Sequence, residues 1–149
     1  MRSLLMITLF VCAVPDRPNP TPDENKTLAE KIQGDWESVN LIVHGVLQQP
    51  TQRDGEFTTI DAGRWIGIKH GKPKDGNPTT YTVNATKRPA TIDFVIRPGA
   101  TEIQLFGIIK IEGDLLTVCY SMDRASRPTE FVSTPNSQAL LLEMKRCRK

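Results

Sequence analysis

The length and composition of the chain indicate one globular domain. It has 149 residues, of which 24% are charged and 38% hydrophobic, and its formal net charge is +2. A chain of this length can bury a core without disulfide cross-links. The balance of charged and apolar residues excludes a disordered or membrane-embedded protein. The near-neutral charge also argues against nucleic-acid binding, which normally needs a strong basic excess on one face.

Residues 1–13 have the pattern of a secretory signal peptide. Arg2 supplies the positive charge, the following run to Val14 is almost entirely apolar, and Ala13 marks the cleavage position. This run is too short to span a bilayer, so we expect an exported protein, periplasmic or extracellular, without stable membrane insertion. Val11 precedes Cys12 where a lipoprotein signal has a smaller residue, which disfavours lipid anchoring. The alternative is a cytosolic protein with an apolar or misassigned start.

Residues 14–26 form a predicted spacer between the signal peptide and the domain. Four prolines fall within this segment, and proline at that density disfavours helix and central strand. A short helix is predicted next, because Thr27 and Glu30 make a capping-box pattern and Gly34 provides the stop signal. The folded domain is therefore expected to cover residues 27–149.

The rest of the chain is predicted to consist of short strands separated by turns. Residues alternate in hydrophobicity along most of these segments; Ile92, Phe94 and Ile96, for example, fall on one face. Glu112–Asp114 is typical of a tight hairpin turn. The predicted strands are 36–43, 57–61, 64–70, 79–83, 91–97, 102–111, 115–121, 130–132 and 139–146. Eight or nine such strands without a crossover helix predict an all-β sandwich or barrel.

The two cysteines that follow the signal peptide are not expected to form a disulfide. If the strands around Cys119 and Leu141 pair directly, Cys147 lies opposite a residue near Gly113. That displacement along a strand is about 20 Å, far beyond the reach of a disulfide. We therefore expect Cys119 to be a small, buried, apolar residue.

The tripeptide Gly34–Trp36 resembles the G-x-W motif that opens lipocalins. In that family the Trp closes the base of the barrel, and an Arg near the last strand packs across it. The resemblance therefore implies a barrel-base role for Trp36, with Arg146 as its partner and Lys145 as the second candidate.

Three longer segments extend this resemblance over most of the chain. Thr86–Asp93 resembles a K-x-P-x-x-I-D segment, and Gly107–Tyr120 resembles a hairpin with a G-D turn. Arg127–Phe131 resembles an R-P-x-x-F segment that leads into the final strand. With the G-x-W motif they are similar to an uncharacterised lipocalin-like domain common in exported planctomycete bacterial proteins, over residues 28–146. Asn84 and Ile109 depart from the Asp and Tyr that are common there. The resemblance implies an antiparallel barrel of about eight strands with a short N-terminal helix, and it brings no catalytic residues.

No pattern of catalytic or metal-binding residues stands out. His44 and His70 lie beside glycines at predicted strand ends, without the spacing of a zinc site. No G-x-S-x-G motif is present, and a buried Cys119 would be inert. We therefore expect a protein that is not an enzyme and that uses no cofactor or metal. Asp93 is expected to pair on the surface with Lys87 or Arg88, or else to contact a ligand at a pocket rim.

Two functions fit these expectations. In the first, the barrel is a binding module for a small apolar ligand, because a small closed barrel can hold one ligand in its mouth. The candidate lining residues, which could equally be plain core, are Trp65, Tyr81, Phe94 and Tyr120. In the second, the barrel is filled and acts as a structural or inhibitor-like interaction domain that contacts an envelope protein. An apolar cavity of several hundred Å³ would favour the first function.

Overall fold

A computed structural model describes residues 22–48, 56–74 and 79–148. These residues form one helix and ten strands, and the predicted signal peptide and the spacer residues 14–21 lie outside them. The elements are α1 (Pro22–Lys31), β1 (Gly34–Val43), β2 (Val46–Leu47), β3 (Glu56–Asp61), β4 (Arg64–Lys69), β5 (Lys72–Pro73), β6 (Thr79–Asn84), β7 (Thr91–Ile96), β8 (Ile103–Glu112), β9 (Leu115–Ser121) and β10 (Ala139–Arg146).

Eight of the strands close into an antiparallel barrel. Strands β1, β3, β4, β6, β7, β8, β9 and β10 are neighbours in chain order, and β10 pairs with β1 to complete the circle. Strands β2 and β5 are two-residue additions to β1 and β4. The prediction of an all-β, eight-stranded barrel of lipocalin-like type with little helix is confirmed.

Strand β1 bends so that it can close the barrel. Its first half pairs with both β3 and β10, whereas its second half pairs with β10 and β2. The register with β10 shifts between Ser38 and Asn40, which makes Val39 a bulge residue. A bulge increases local bend and twist, which is what closure of a small barrel requires. Val39 projects outward and is 39% exposed.

Tight turns of the same kind join several neighbouring strands. The pairs His44–Gly45, Ala62–Gly63 and His70–Gly71 have positive φ at both residues, as in type I′ hairpin turns. Gly113 also has a positive φ, of 62°, in the hairpin predicted between β8 and β9. Both histidines are therefore exposed turn residues.

Inward-facing side chains fill the lower part of the barrel. The strand faces predicted from alternation are confirmed, with Ile92, Phe94 and Ile96 pointing into one core. The buried members of this core are Ile32, Trp36, Ile60, Tyr81, Ile92, Phe94, Leu105, Ile109, Leu116, Val118 and Met144. Ile32 directly follows α1, and Leu28 of the helix packs against the same core, so the helix contributes to it.

A smaller apolar cluster lies on the outer wall and explains one wrong prediction. Residues 130–132 form no strand; instead Phe131 packs on Ile108, Cys119 and Leu141. The Cys119 thiol donates to the carbonyl of Val132 over 3.6 Å. Phe131 thus packs on the outside of the barrel, although its segment does not pair with any strand of the sheet.

The start of the helix also differs from the prediction. Helix α1 begins at Pro22 and not at Thr27, so the spacer prediction extended too far. Proline lacks an N–H and has a fixed φ, but both properties are compatible with the first helical turn. Proline density therefore marked the beginning of this helix and did not exclude it.

Candidate functional site

The base of the barrel is built around Trp36. The ring is fully buried, and its Nε1 donates to the carbonyl of Ile32 over 2.9 Å. The guanidinium of Arg146 lies 4.2 Å from the ring centroid. Its Nη1 and Nη2 donate to the carbonyls of Gln33 and Lys31 at 2.8 and 2.6 Å, which satisfies acceptors at the helix end. Arg146, at the end of β10, thus contacts both the Trp36 ring and the carbonyls at the end of α1.

The second candidate partner, Lys145, occupies a different position. Its side chain is exposed, and the residue pairs with Glu37 on β1 and Leu115 on β9. Alternation along β10 places Lys145 on the opposite face from Arg146 and Met144. The structure therefore places Arg146, and not Lys145, against Trp36.

The four candidate pocket residues form a chain of aromatic rings across the interior. Trp65 meets Phe94 edge-on with ring centroids 5.1 Å apart, and Phe94 meets Tyr120 at 5.6 Å. Trp65 also meets Tyr81 at 6.1 Å. The hydroxyl of Tyr81 accepts from Gln33 Nε2 over 3.0 Å, which ties this ring to the helix. Burial raises the pKa of both Tyr81 and Tyr120.

Little space remains inside the barrel among the described residues. One cavity of about 110 Å³ is lined by Trp65, Thr79, Phe94, Ile96, Leu105, Tyr120 and Leu142. A second, of about 170 Å³, lies nearer the open end and shares Tyr120 and Leu142 with the first. Both are smaller than the several hundred Å³ expected for a lipocalin-like ligand chamber.

A charged cluster lies at the open end of the barrel. Glu56 is only 14% exposed and forms ion pairs with Lys74 and, over 3.5 Å, with Lys69. Lys74 reaches Glu56 across Gly67, where the stem of its side chain lies against the glycine. Burial by itself would raise the pKa of Glu56, but the two lysines outweigh it and lower that pKa. Charged groups are therefore part of the described surface at this end of the barrel.

A larger cleft than these cavities lies on the outer wall. It has a volume of about 740 Å³ and lies between strands β6 and β7, the loop that joins them, and the segment after β9. We call it the wall cleft. Its lining residues are Thr82, Val83, Asn84, Lys87, Arg88, Pro89, Thr91, Asp93, Ile108, Arg127, Pro128 and Thr129.

An ion pair between Asp93 and Arg127 crosses the wall cleft. Oδ1 of Asp93 lies 2.6 Å from Nη2 of Arg127 and accepts no hydrogen bond. Nη1 of Arg127 donates to the carbonyl of Gly107 over 2.6 Å, and the guanidinium lies 5.3 Å from the Phe106 ring centroid. The predicted pairing of Asp93 with Lys87 or Arg88 is wrong, because the loop after β9 brings Arg127 across the sheet.

A second groove meets the wall cleft at strand β6. It has a volume of about 510 Å³ and runs between α1, the β3–β4 turn and β6. We call it the helix groove. It is lined by Lys26, Ala29, Glu30, Gln33, Ala62, Gly63, Tyr81, Thr82 and Val83. Thr82 and Val83 line both depressions, so the two form a continuous surface around the end of β6.

The described residues hold no constellation typical of metal chemistry. No group of three or more His, Cys, Asp or Glu side chains in ranges 22–48, 56–74 and 79–148 could hold a metal ion. Cys119 and Cys147 are both free, and burial raises the pKa of the Cys119 thiol. Within the same ranges, no helix is both long and apolar enough to cross a bilayer.

The chain was compared with protein-family models, curated proteins and solved structures. None of the three comparisons finds a match. Functional inference therefore depends on the geometry of the barrel interior, the wall cleft and the helix groove.

Proposed function

We propose that this protein is a non-catalytic, exported interaction domain of lipocalin-like type, which binds an envelope protein through its outer surface. The observation that supports the proposal is the distribution of space. The interior cavities hold about 110 and 170 Å³, whereas the wall cleft holds about 740 Å³. Sites for drug-sized ligands usually measure about 300–1,000 Å³.

The packing of the interior also supports a filled scaffold. Phe94 and Tyr81 are at least nine-tenths buried, and both make edge-to-face contacts with Trp65. Each such aromatic pair contributes about 0.5–1.5 kcal/mol beyond the burial of its surface. A ligand that entered the barrel would have to separate these rings, so binding inside carries a cost that binding outside does not.

A smaller apolar ligand inside the mouth is the second candidate. The two interior cavities share Tyr120 and Leu142 in their linings, so they lie next to each other. An apolar cavity of about 150 Å³ can bind benzene, so a ligand of that size fits this region, whereas a fatty acid does not.

Titration with apolar probes distinguishes the two candidates. Trp65 lines the interior cavity, so its fluorescence reports a ligand there, and a Trp36→Phe variant leaves Trp65 as the single tryptophan. We expect no saturable change with decanoic acid or benzene. Saturable binding of decanoic acid would refute the filled scaffold, and binding of benzene alone would favour the second candidate.

Cross-linking and N-terminal mapping test the remaining parts of the proposal. A photoreactive group at the exposed Thr82 should cross-link a partner in the native host, while the same group at the exposed Lys145 should not. Equal products from the two positions would contradict a specific outer surface. Export predicts that mass spectrometry of the cell-envelope or secreted fraction finds a chain that begins at Val14.

A further inference from the structure

Strand β6 has an unpaired edge among the described residues. On one side it pairs with β7 along Thr80–Asn84, but on the other it pairs with β4 only at Thr79 and Thr80. The N–H of Tyr81 makes one further bond, to the carbonyl of Gly63 over 2.9 Å. Gly63 lies in the turn between β3 and β4, so β4 extends no further along β6 and no described strand continues along this edge.

The alternation of hydrogen bonds shows which groups this edge presents. In an antiparallel ladder the N–H and C=O of one residue point to the same side, and successive residues alternate. Tyr81 directs its N–H away from β7, so Val83, two residues later, directs its N–H and C=O the same way. Val83 therefore offers one donor and one acceptor at the open edge of β6.

Space for an added strand exists on both sides of this edge. Val83 lines the helix groove, of about 510 Å³, and also the wall cleft, of about 740 Å³. Thr82 lines both as well. An extended segment lying along Val83 would thus enter the groove beside α1 and leave through the wall cleft.

The charges along this path favour an acidic segment. Lys87 and Arg127 are cations that line the wall cleft, and Arg127 pairs with the carboxylate of Asp93. The side chain of Lys87 is exposed at the rim. In the helix groove the charges of Lys26 and Glu30 offset each other at 3.9 Å. The end of the path near the β6–β7 loop is therefore the positively charged one.

We propose that an extended, acidic segment of a partner protein adds to the edge of β6 at Val83, with a carboxylate beside Lys87. Strand addition of this kind obtains affinity from main-chain hydrogen bonds and specificity from side-chain contacts at alternate positions. The inference rests on the proposed function, since it assigns the outer surface and the partner chemistry of the same interaction domain.

The test uses a defined peptide and its backbone-blocked counterpart. The probe is a capped hexapeptide of alternating valine and glutamate, titrated into the ¹⁵N-labelled full chain. We expect saturable amide shifts centred on Tyr81–Asn84 and slower hydrogen exchange at Val83. The same peptide with N-methyl groups at alternate residues loses main-chain donors, so it should bind at least tenfold more weakly. Equal binding of the two peptides would overturn strand addition.

Protein variants test the edge and the charge separately. Val83→Pro removes the outward N–H without breaking a bond to β7, a position at which a strand tolerates proline, and it should abolish binding. Lys87→Glu should weaken binding roughly tenfold, which corresponds to about 1.4 kcal/mol. Arg97→Glu, beyond the opposite end of β7, is the matched control and should leave affinity unchanged.

The outcomes separate this inference from the proposed function. Decanoic acid inside the barrel would refute the interaction domain, whereas an unbound peptide together with a Thr82 cross-link would refute strand addition alone. If Lys87→Glu and Arg97→Glu have equal effects, the acidic partner is refuted. Dimerisation through Val83, seen as a concentration-dependent mass that Val83→Pro removes, would replace the partner protein with a second copy of this chain.

Discussion

Truncation of Trp36 should be among the most destabilising single substitutions in the barrel. The side chain is fully buried, its Nε1–H bonds to the Ile32 carbonyl, and its ring carries the Arg146 guanidinium. Trp36→Ala removes all of these contacts and leaves a void at the base. Replacing a large buried aromatic by alanine costs about 3–5 kcal/mol. Small domains are stable by only about 5–15 kcal/mol, so this is a large fraction of the total.

The contributions can be divided with milder variants. Trp36→Phe keeps an aromatic ring but leaves the Ile32 carbonyl without its donor, which costs about 1–3 kcal/mol. Arg146→Lys keeps the positive charge but lacks the planar fork that spans the carbonyls of Lys31 and Gln33. A double-mutant cycle of Trp36→Phe and Arg146→Lys should give a coupling energy of about 0.5–2 kcal/mol.

Urea unfolding provides the measurement, because Trp65 remains as a fluorescent reporter when Trp36 is replaced. Circular dichroism at a far-ultraviolet wavelength follows the sheet independently, and coincident transitions would justify a two-state analysis. The matched control is Val39→Ala, at the exposed bulge of β1, which should change stability by less than about 0.5 kcal/mol. A loss below about 1 kcal/mol for Trp36→Ala would refute the role of this ring in closing the base.

Three further predictions concern other parts of the barrel. Lys74 and Lys69 lower the pKa of Glu56, so their ion pairs stabilise the fold above the pKa that Glu56 has in the unfolded chain. This stabilisation is lost as the pH falls. Glu56→Gln should therefore lower the melting temperature at neutral pH and lower it much less near pH 3. Cys119, with its raised thiol pKa, should resist alkylation in the folded protein and react on unfolding, as mass spectrometry of labelled peptides would show; labelling under native conditions would contradict its burial. Arg127→Met should destabilise by about 1–3 kcal/mol in urea unfolding, because it leaves the Asp93 carboxylate without its ion-pair partner and the Gly107 carbonyl without its donor; an unchanged midpoint would contradict this.

Strand positions and hairpin turns could be predicted because they depend on local properties. Alternation placed Ile92, Phe94 and Ile96 on one face, and the Gly113 signal placed the β8–β9 turn. The expected direct pairing of Cys119 with Leu141 is also observed. Each of these features follows from the period of a strand or the φ of a turn residue, which nearby sequence determines.

Two local predictions were wrong because tertiary packing decided the outcome. Phe131 lies in a segment with strand-like composition, but the wall formed by Ile108, Cys119 and Leu141 offers it a packing site outside the ladder. The prolines before Thr27 suggested an extended spacer, yet the helix begins at Pro22 and ends directly before Ile32, which lies in the core. The composition of a segment does not determine which surface of the fold it will pack against.

The candidate binding surface had no sequence signal of its own. Val83 and Thr82 belong to an ordinary strand, and Arg127 reaches Asp93 across 33 intervening positions of the chain because the loop after β9 lies on the outer wall beside β7. The sequence by itself determined an all-β chain of about eight strands and its inward faces, since these depend on alternation and turn chemistry. Tertiary structure alone decided that the two interior cavities lined by described residues are small and that β6 has an unpaired edge at Val83 among those residues, because both depend on how distant strands pair and pack.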